Sequence, residues 1–242
     1  MAAGVIISGA VGAGVLYVWV WRQFRYVRAH WSRQRDLTRF EHQLREARET
    51  VGGPRNYRVA GADDAELVAT LDGLRGDERA LVAAGFTRLG DIVEDKSISR
   101  WLVDASGRTC AQLGIRSDGN SWLVLHGSAG DDVYTTSRGG SLANPPFVHR
   151  QTLPVATTLA EMIRRHAAHA GPDGDRIATC ADVVAQLERT SARTLAWRAA
   201  QPPDELLDAD LRAILGEHYP RLGKAWAARM RGELPRATAR RG

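Results

Sequence analysis

Cysteine is scarce in this chain. Cys110 and Cys180 are the only two in 242 residues, which excludes a small fold stapled by disulfides and fits a reducing compartment. No charge of one sign dominates, since 33 Lys and Arg stand against 28 Asp and Glu for a net of +5. With 44% hydrophobic and 25% charged residues the chain is neither wholly disordered nor collagen-like. A mean hydropathy of -0.30 excludes a bundle of membrane spans. Repeats of fixed period and a G-x-S-x-G elbow are also lacking. What these absences leave is one sizeable core, or a domain with attachments.

One apolar run breaks the average. Ala2 to Trp21 carries no charge, and twenty helical residues span about 30 Å, the thickness of a bilayer's hydrocarbon core. A helix satisfies its own backbone hydrogen bonds and can therefore cross lipid. The alternative, a buried core helix, sits badly with glycines at 4, 9, 12 and 14, each of which weakens a helix in water. Tyr17, Trp19 and Trp21 cluster at one end, where their rings suit the headgroup boundary, and Arg22, Arg25 and Arg28 follow directly. A cleaved signal peptide needs its basic residues before the apolar stretch, not after it. Positive flanks stay cytoplasmic. The sequence thus predicts a single-pass protein of the inner (plasma) membrane, N-terminus outside and main domain in the cytoplasm. Gly4, Ser8 and Gly12 share a helical stripe that permits close helix–helix approach. Short anchors use such residues without pairing too, so a homodimer stays open.

Residues 22–50 contain neither Gly nor Pro and read as a basic juxtamembrane helix. Leu37, Phe40, Leu44, Ala47 and Val51 alternate in steps of three and four, a short a/d seam. Beside a bilayer the arginines suit anionic lipid headgroups, each worth about 1 kcal/mol. That position makes lipid a nearer partner than nucleic acid. The stretch 51–63, with Gly52-Gly53-Pro54, reads as a linker.

From residue 64 the text is helical, with Leu67, Leu71, Leu74 and Leu81 on one face and Gly85 as the stop. Strands are expected at 86–93, 98–104, 109–116, 121–127, 131–136 and 147–153, joined by Ser106-Gly107, Asp118-Gly119 and Ala129-Gly130 turns. Such tight turns mean antiparallel hairpins. Thr158-x-x-Glu161 is a capping box opening a helix to residue 170, which should cover the apolar face of the sheet. The region 64–170 is therefore expected to be an α+β domain, an antiparallel meander in a two-layer sandwich with helices. Helices fill 177–232, and 233–242 is a basic tail.

No residue set marks a catalytic, cofactor or metal site. His166 and His169 lie one helical turn apart but lack the third ligand a zinc site needs. Ser128 near His126 falls at a hairpin rather than at a strand-to-helix elbow. Cys180, at a helix start, is the more reactive thiol candidate, because that position lowers a thiol pKa. Ser137-Arg-Gly-Gly-Ser141 offers amides to an anion but lacks the Lys and the following helix of a phosphate loop.

Leu81–Asp91 (LVAAGFTRLGD), the meander and the closing helix with His166 resemble an uncharacterised domain of bacterial membrane-anchored hypothetical proteins, over about residues 64–170. The resemblance implies a domain boundary and no activity. Two function classes follow. The first is a membrane-anchored cytosolic module that binds a protein or ligand without catalysis, on its sheet or its 137–146 loop. The second is a membrane-anchored enzyme, for instance a hydrolase, with a site assembled on the sheet from His126, His149 and Cys110. The charge also divides. Residues 22–50 carry +4, residues 229–242 carry +4, and the body between carries -3.

Overall fold

The computed structural model describes residues 53–95, 97–115, 121–138, 142–171 and 174–232, with Glu41, Leu44, Arg45 and Arg48. The expected span 1–21, its interface residues Tyr17, Trp19, Trp21, Arg22, Arg25 and Arg28, most of the basic helix and the tail lie outside the described residues. Among the described residues no helix is long and apolar enough to cross a membrane. The chain divides into two compact units, Val51–Ala227 and a second made of Met1–Thr50 with Ala228–Gly242. Within the second, Arg45 pairs with Glu41 at 3.2 Å and donates to the Met230 carbonyl at 3.3 Å.

The first unit is α+β. Its sheet has seven strands in sequence order: β1 (Tyr57–Val59), β2 (Thr87–Glu94), β3 (Ser97–Val103), β4 (Cys110–Ile115), β5 (Ser121–Ala129), β6 (Asp132–Arg138) and β7 (Val148–Leu153). Six of these lie close to the ranges read from the turns. The seventh, β1, sits inside the stretch read as a linker. It pairs with β2 over three residues, Tyr57 to Glu94 through Val59 to Ile92, too few to show an alternation in sequence. Arg58 holds it in place with a two-point pair to Asp64, both contacts at 2.6 Å.

The sheet is mixed, which corrects the expected antiparallel meander. β6 and β7 run parallel, Val133 beside Val148 and Arg138 beside Leu153. Parallel pairing requires the chain to return the length of β6 between Arg138 and Val148, a connection of nine residues. A six-residue strand is about 20 Å long, and nine residues reach about 30 Å when extended, so no crossover helix is needed. This return segment is anchored. Asp210 accepts the Ala143 N–H at 3.0 Å and holds Arg198 at 2.8 Å, and that ion pair is buried.

Helices cover both faces, so the expected two layers are three. On the first face lie α1 (Ala65–Thr70), a 3₁₀ turn (Leu71–Leu74), α2 (Arg75–Ala83) and α3 (Leu159–Ala170). Leu71, Leu81 and Met162 pack there on Ile98, Leu102, Leu113 and Leu125. Gly85, at φ +92°, ends α2 in a Schellman turn in which the Phe86 N–H returns to the Leu81 carbonyl at 3.1 Å. The second face takes α4 (Cys180–Ala200), whose Cys180 and Val183 pack with Ile92, Trp101 and Cys110. Room for α4 depends on Gly90, at φ +154° in a bulge of β2, where a Cβ would stand 2.9 Å from the Cys180 sulfur. α5 (Pro203–Leu215), a 3₁₀ turn and α6 (Tyr219–Arg231) follow.

Candidate functional site

The residues singled out in the sequence go to different places. His166 and His169 both point at the first face, but to separate partners. His166 is fully buried, with Nδ1 2.9 Å from the Thr136 hydroxyl, and burial pushes its pKa down to about 4. His169 reaches the His149 carbonyl at 3.0 Å and meets Tyr134 edge-on. His149 stacks on Tyr134 and lies 3.4 Å from Asp132. Among the described residues no cluster of three metal-ligating side chains forms. Thr158 caps α3 by accepting the Glu161 N–H, yet the reciprocal half of the expected box is missing because Arg164 and Arg165 hold the Glu161 carboxylate. The full box appears at Thr179 and Asp182 instead.

Cys180 takes the first position of α4, as expected, but it is not an activated thiol. Burial raises its pKa, and nearby Asp91 adds to the effect. Ser128 belongs to β5 itself and is buried, with Gly130 and Asp131 forming the turn beyond it. Of the 137–146 loop, Ser137 and Arg138 end β6, and 139–141 are outside the described residues.

Register brings His126 and Cys110 together and leaves His149 apart. Cys110 stands opposite His126, His126 opposite Thr135, and Thr135 opposite Arg150. This row crosses the second face, whereas His149 projects from the first. His126 Nε2 is 3.0 Å from the Gln112 Oε1. The Gln112 amide and the Trp101 indole then both donate to the Ser99 hydroxyl, at 3.3 and 2.9 Å. Desolvation lowers the His126 pKa to about 3, with Arg150 among the contributing charges, and raises that of Cys110 to about 12. Thiol and imidazole are thus both held uncharged.

A cavity of about 680 Å³ opens between α4 and the β5–β6 turn. Asp182, Gln186, Arg189 and Arg193 line one wall at intervals of four, three and four, a single helical stripe. Val133 and Asp131 line the other. Arg193 is fixed, donating to the Asp131 carbonyl at 2.5 Å with its guanidinium 3.9 Å above the Phe147 ring. Gln186 Nε2 is buried without a hydrogen-bond partner among the described residues. That atom is closed to solvent, so it belongs to the packing behind the wall and not to the accessible surface of the groove. A second cavity, about 150 Å³, lies by Asp104, Gly127 and Gly171 at the end of α3. Neither is lined by His126, His149 or Cys110.

The polar stripe of α4 was readable in the sequence at the same spacing as the apolar one. No family model, curated protein or solved structure matches the chain.

Proposed function

We propose that the chain is a single-pass, membrane-anchored cytosolic module that binds a ligand without transforming it. The ligand lies in the groove between α4 and the β5–β6 turn, and the sequence of residues 1–28 supplies the anchor. The observation that carries this reading is the wall of the groove: a stripe of polar side chains, Asp182, Gln186, Arg189 and Arg193, runs along α4 and faces the β5–β6 turn across an open space. Such a wall is completed by a bound molecule that brings a carbonyl, carboxylate or phosphate oxygen.

The alternative is a membrane-anchored hydrolase, and the pairing of Cys110 with His126 is the observation in its favour. Nucleophilic catalysis needs a thiolate and a base that takes up a proton near neutral pH. A thiol near 12 beside an imidazole near 3 supplies neither. The binding reading is therefore preferred.

The test is the small-molecule content of the full chain purified in a neutral detergent and then denatured. Ala185 lines the groove and is exposed, so Ala185→Trp fills the space without touching the core. The wild type should release a molecule that Ala185→Trp does not. A wild type that releases nothing, or a variant that releases the same molecule, contradicts the groove assignment.

A further inference from the structure

The sheet has two edges, and they are not alike. β1 is three residues long, and so short an edge offers little for another strand to pair with. β7 has six residues. It contains no proline, glycine or lysine, and its register with β6 runs from Val148 to Leu153 without a bulge. Prolines, lysines and bulges are the usual protection of an exposed edge against strand addition, and β7 has none of them.

The phase of the ladder shows which groups β7 turns outward. The Val133 N–H takes the Phe147 carbonyl at 2.9 Å. Alternate residues of a parallel strand bond to the same neighbour, so His149, Gln151 and Leu153 face β6, while Val148, Arg150 and Thr152 direct their N–H and C=O groups away from it. The Val148 N–H turns back to the Pro145 carbonyl at 2.9 Å. The N–H groups of Arg150 and Thr152 and the carbonyls of all three have no hydrogen-bond partner among the described residues. Arg150 and Thr152 are also exposed to solvent.

Side chains add chemistry to this open ladder. The Arg150 guanidinium makes one hydrogen bond, from Nε to the Thr135 hydroxyl at 3.3 Å, and pairs with no carboxylate among the described residues. Just beyond the strand, Val155 is 78% exposed, more than any other large hydrophobic residue described. A main-chain ladder, a cation and an apolar side chain therefore follow one another along one edge.

We propose that β7 is the docking edge for an extended segment of a partner protein, which joins the sheet as a further strand with an acidic side chain against Arg150 and an apolar one toward Val155. Main-chain bonds to Arg150 and Thr152 supply affinity, and the two side-chain contacts supply selectivity. Val148, Arg150 and Thr152 line neither cavity, so this surface is separate from the groove and does not depend on it.

The experiment is selection from a displayed library of random decapeptides on the full chain in neutral detergent, followed by fluorescence anisotropy of the selected peptides. These should share an acidic residue about five positions from an apolar one, the separation of Arg150 and Val155. Thr152→Pro removes an outward N–H and no bond to β6, so it should keep the wild-type thermal midpoint and bind the peptides about tenfold or more weakly. Arg150→Glu should weaken the acidic peptides about fivefold and bind their lysine versions better than the wild type does. N-methylation of alternate peptide amides should abolish binding in one phase and spare it in the other. No enrichment, equal binding by Thr152→Pro, or an unchanged charge preference in Arg150→Glu overturns the inference. A chain that binds no peptide but forms dimers, which Thr152→Pro dissociates, assigns the edge to a second copy and overturns it as well.

Discussion

His166 has its protonation state set by where it is. It is fully buried against Thr136, and burial takes its pKa from 6.5 to about 4, while His126 goes to about 3. A histidine whose folded pKa lies below its unfolded value contributes stability that is complete above about 6.5 and is lost as pH falls. Stability should therefore hold near pH 7 and decline between pH 6.5 and 4, by roughly 3 kcal/mol for His166 alone. Denaturant unfolding at a series of pH values checks this, and His166→Gln should flatten part of the slope. Stability that rises on acidification over that window would contradict it. At this scale the sequence was partly legible. His126 and Cys110 were identifiable as residues to watch, but their neutrality was not, because desolvation depends on what covers the second face. Cys180 shows the same limit. A helix start argues for a reactive thiol, and packing against Gly90 and Asp91 reverses the argument.

At the scale of elements, short-range signals carried most of the fold. Three X-Gly turns separated the four middle strands of the six expected, and Gly85 closed α2 as a Schellman turn should. β1 escaped because three residues show no periodicity, and its stability comes from a distant partner strand and the Arg58–Asp64 pair. The parallel placement of β7 escaped because it depends on what holds the return segment. That anchor is the buried Arg198–Asp210 pair, twelve residues apart across α4 and α5, which also receives the Ala143 N–H. Its energetics are testable. Asp210→Ala strands a buried guanidinium and should cost about 3–5 kcal/mol in denaturant unfolding, whereas replacing both residues with apolar ones of similar volume should recover most of it. A loss well under 1 kcal/mol for the single change would show that Asp210 does not hold the return segment. The layer count follows the same logic. Alternation along β4 indicated a wetter face carrying Gln112, and it is α4, from far along the chain, that covers the neighbouring part of that face.

At the scale of the whole molecule, charge and compactness divide the chain at the same places. The unit Val51–Ala227 coincides with the body that carries -3, flanked by a +4 stretch on either side. We read that partition as a mildly acidic binding module between basic segments that suit an anionic bilayer surface. The proposed anchor rests on sequence alone: the apolar run 2–21 has the length of a bilayer's hydrocarbon core, with aromatic residues at its end and arginines directly after it. The groove was not legible in the sequence, because its walls come from segments about fifty residues apart. The most direct test of the account is fractionation of the chain with and without residues 1–21, each washed at high salt to strip peripheral electrostatic binding. The full chain should stay with the membrane through the wash, and the shortened one should appear, folded, in the soluble fraction. A shortened chain that remains in the membrane after high salt, or a full chain that washes free, would contradict a single N-terminal anchor.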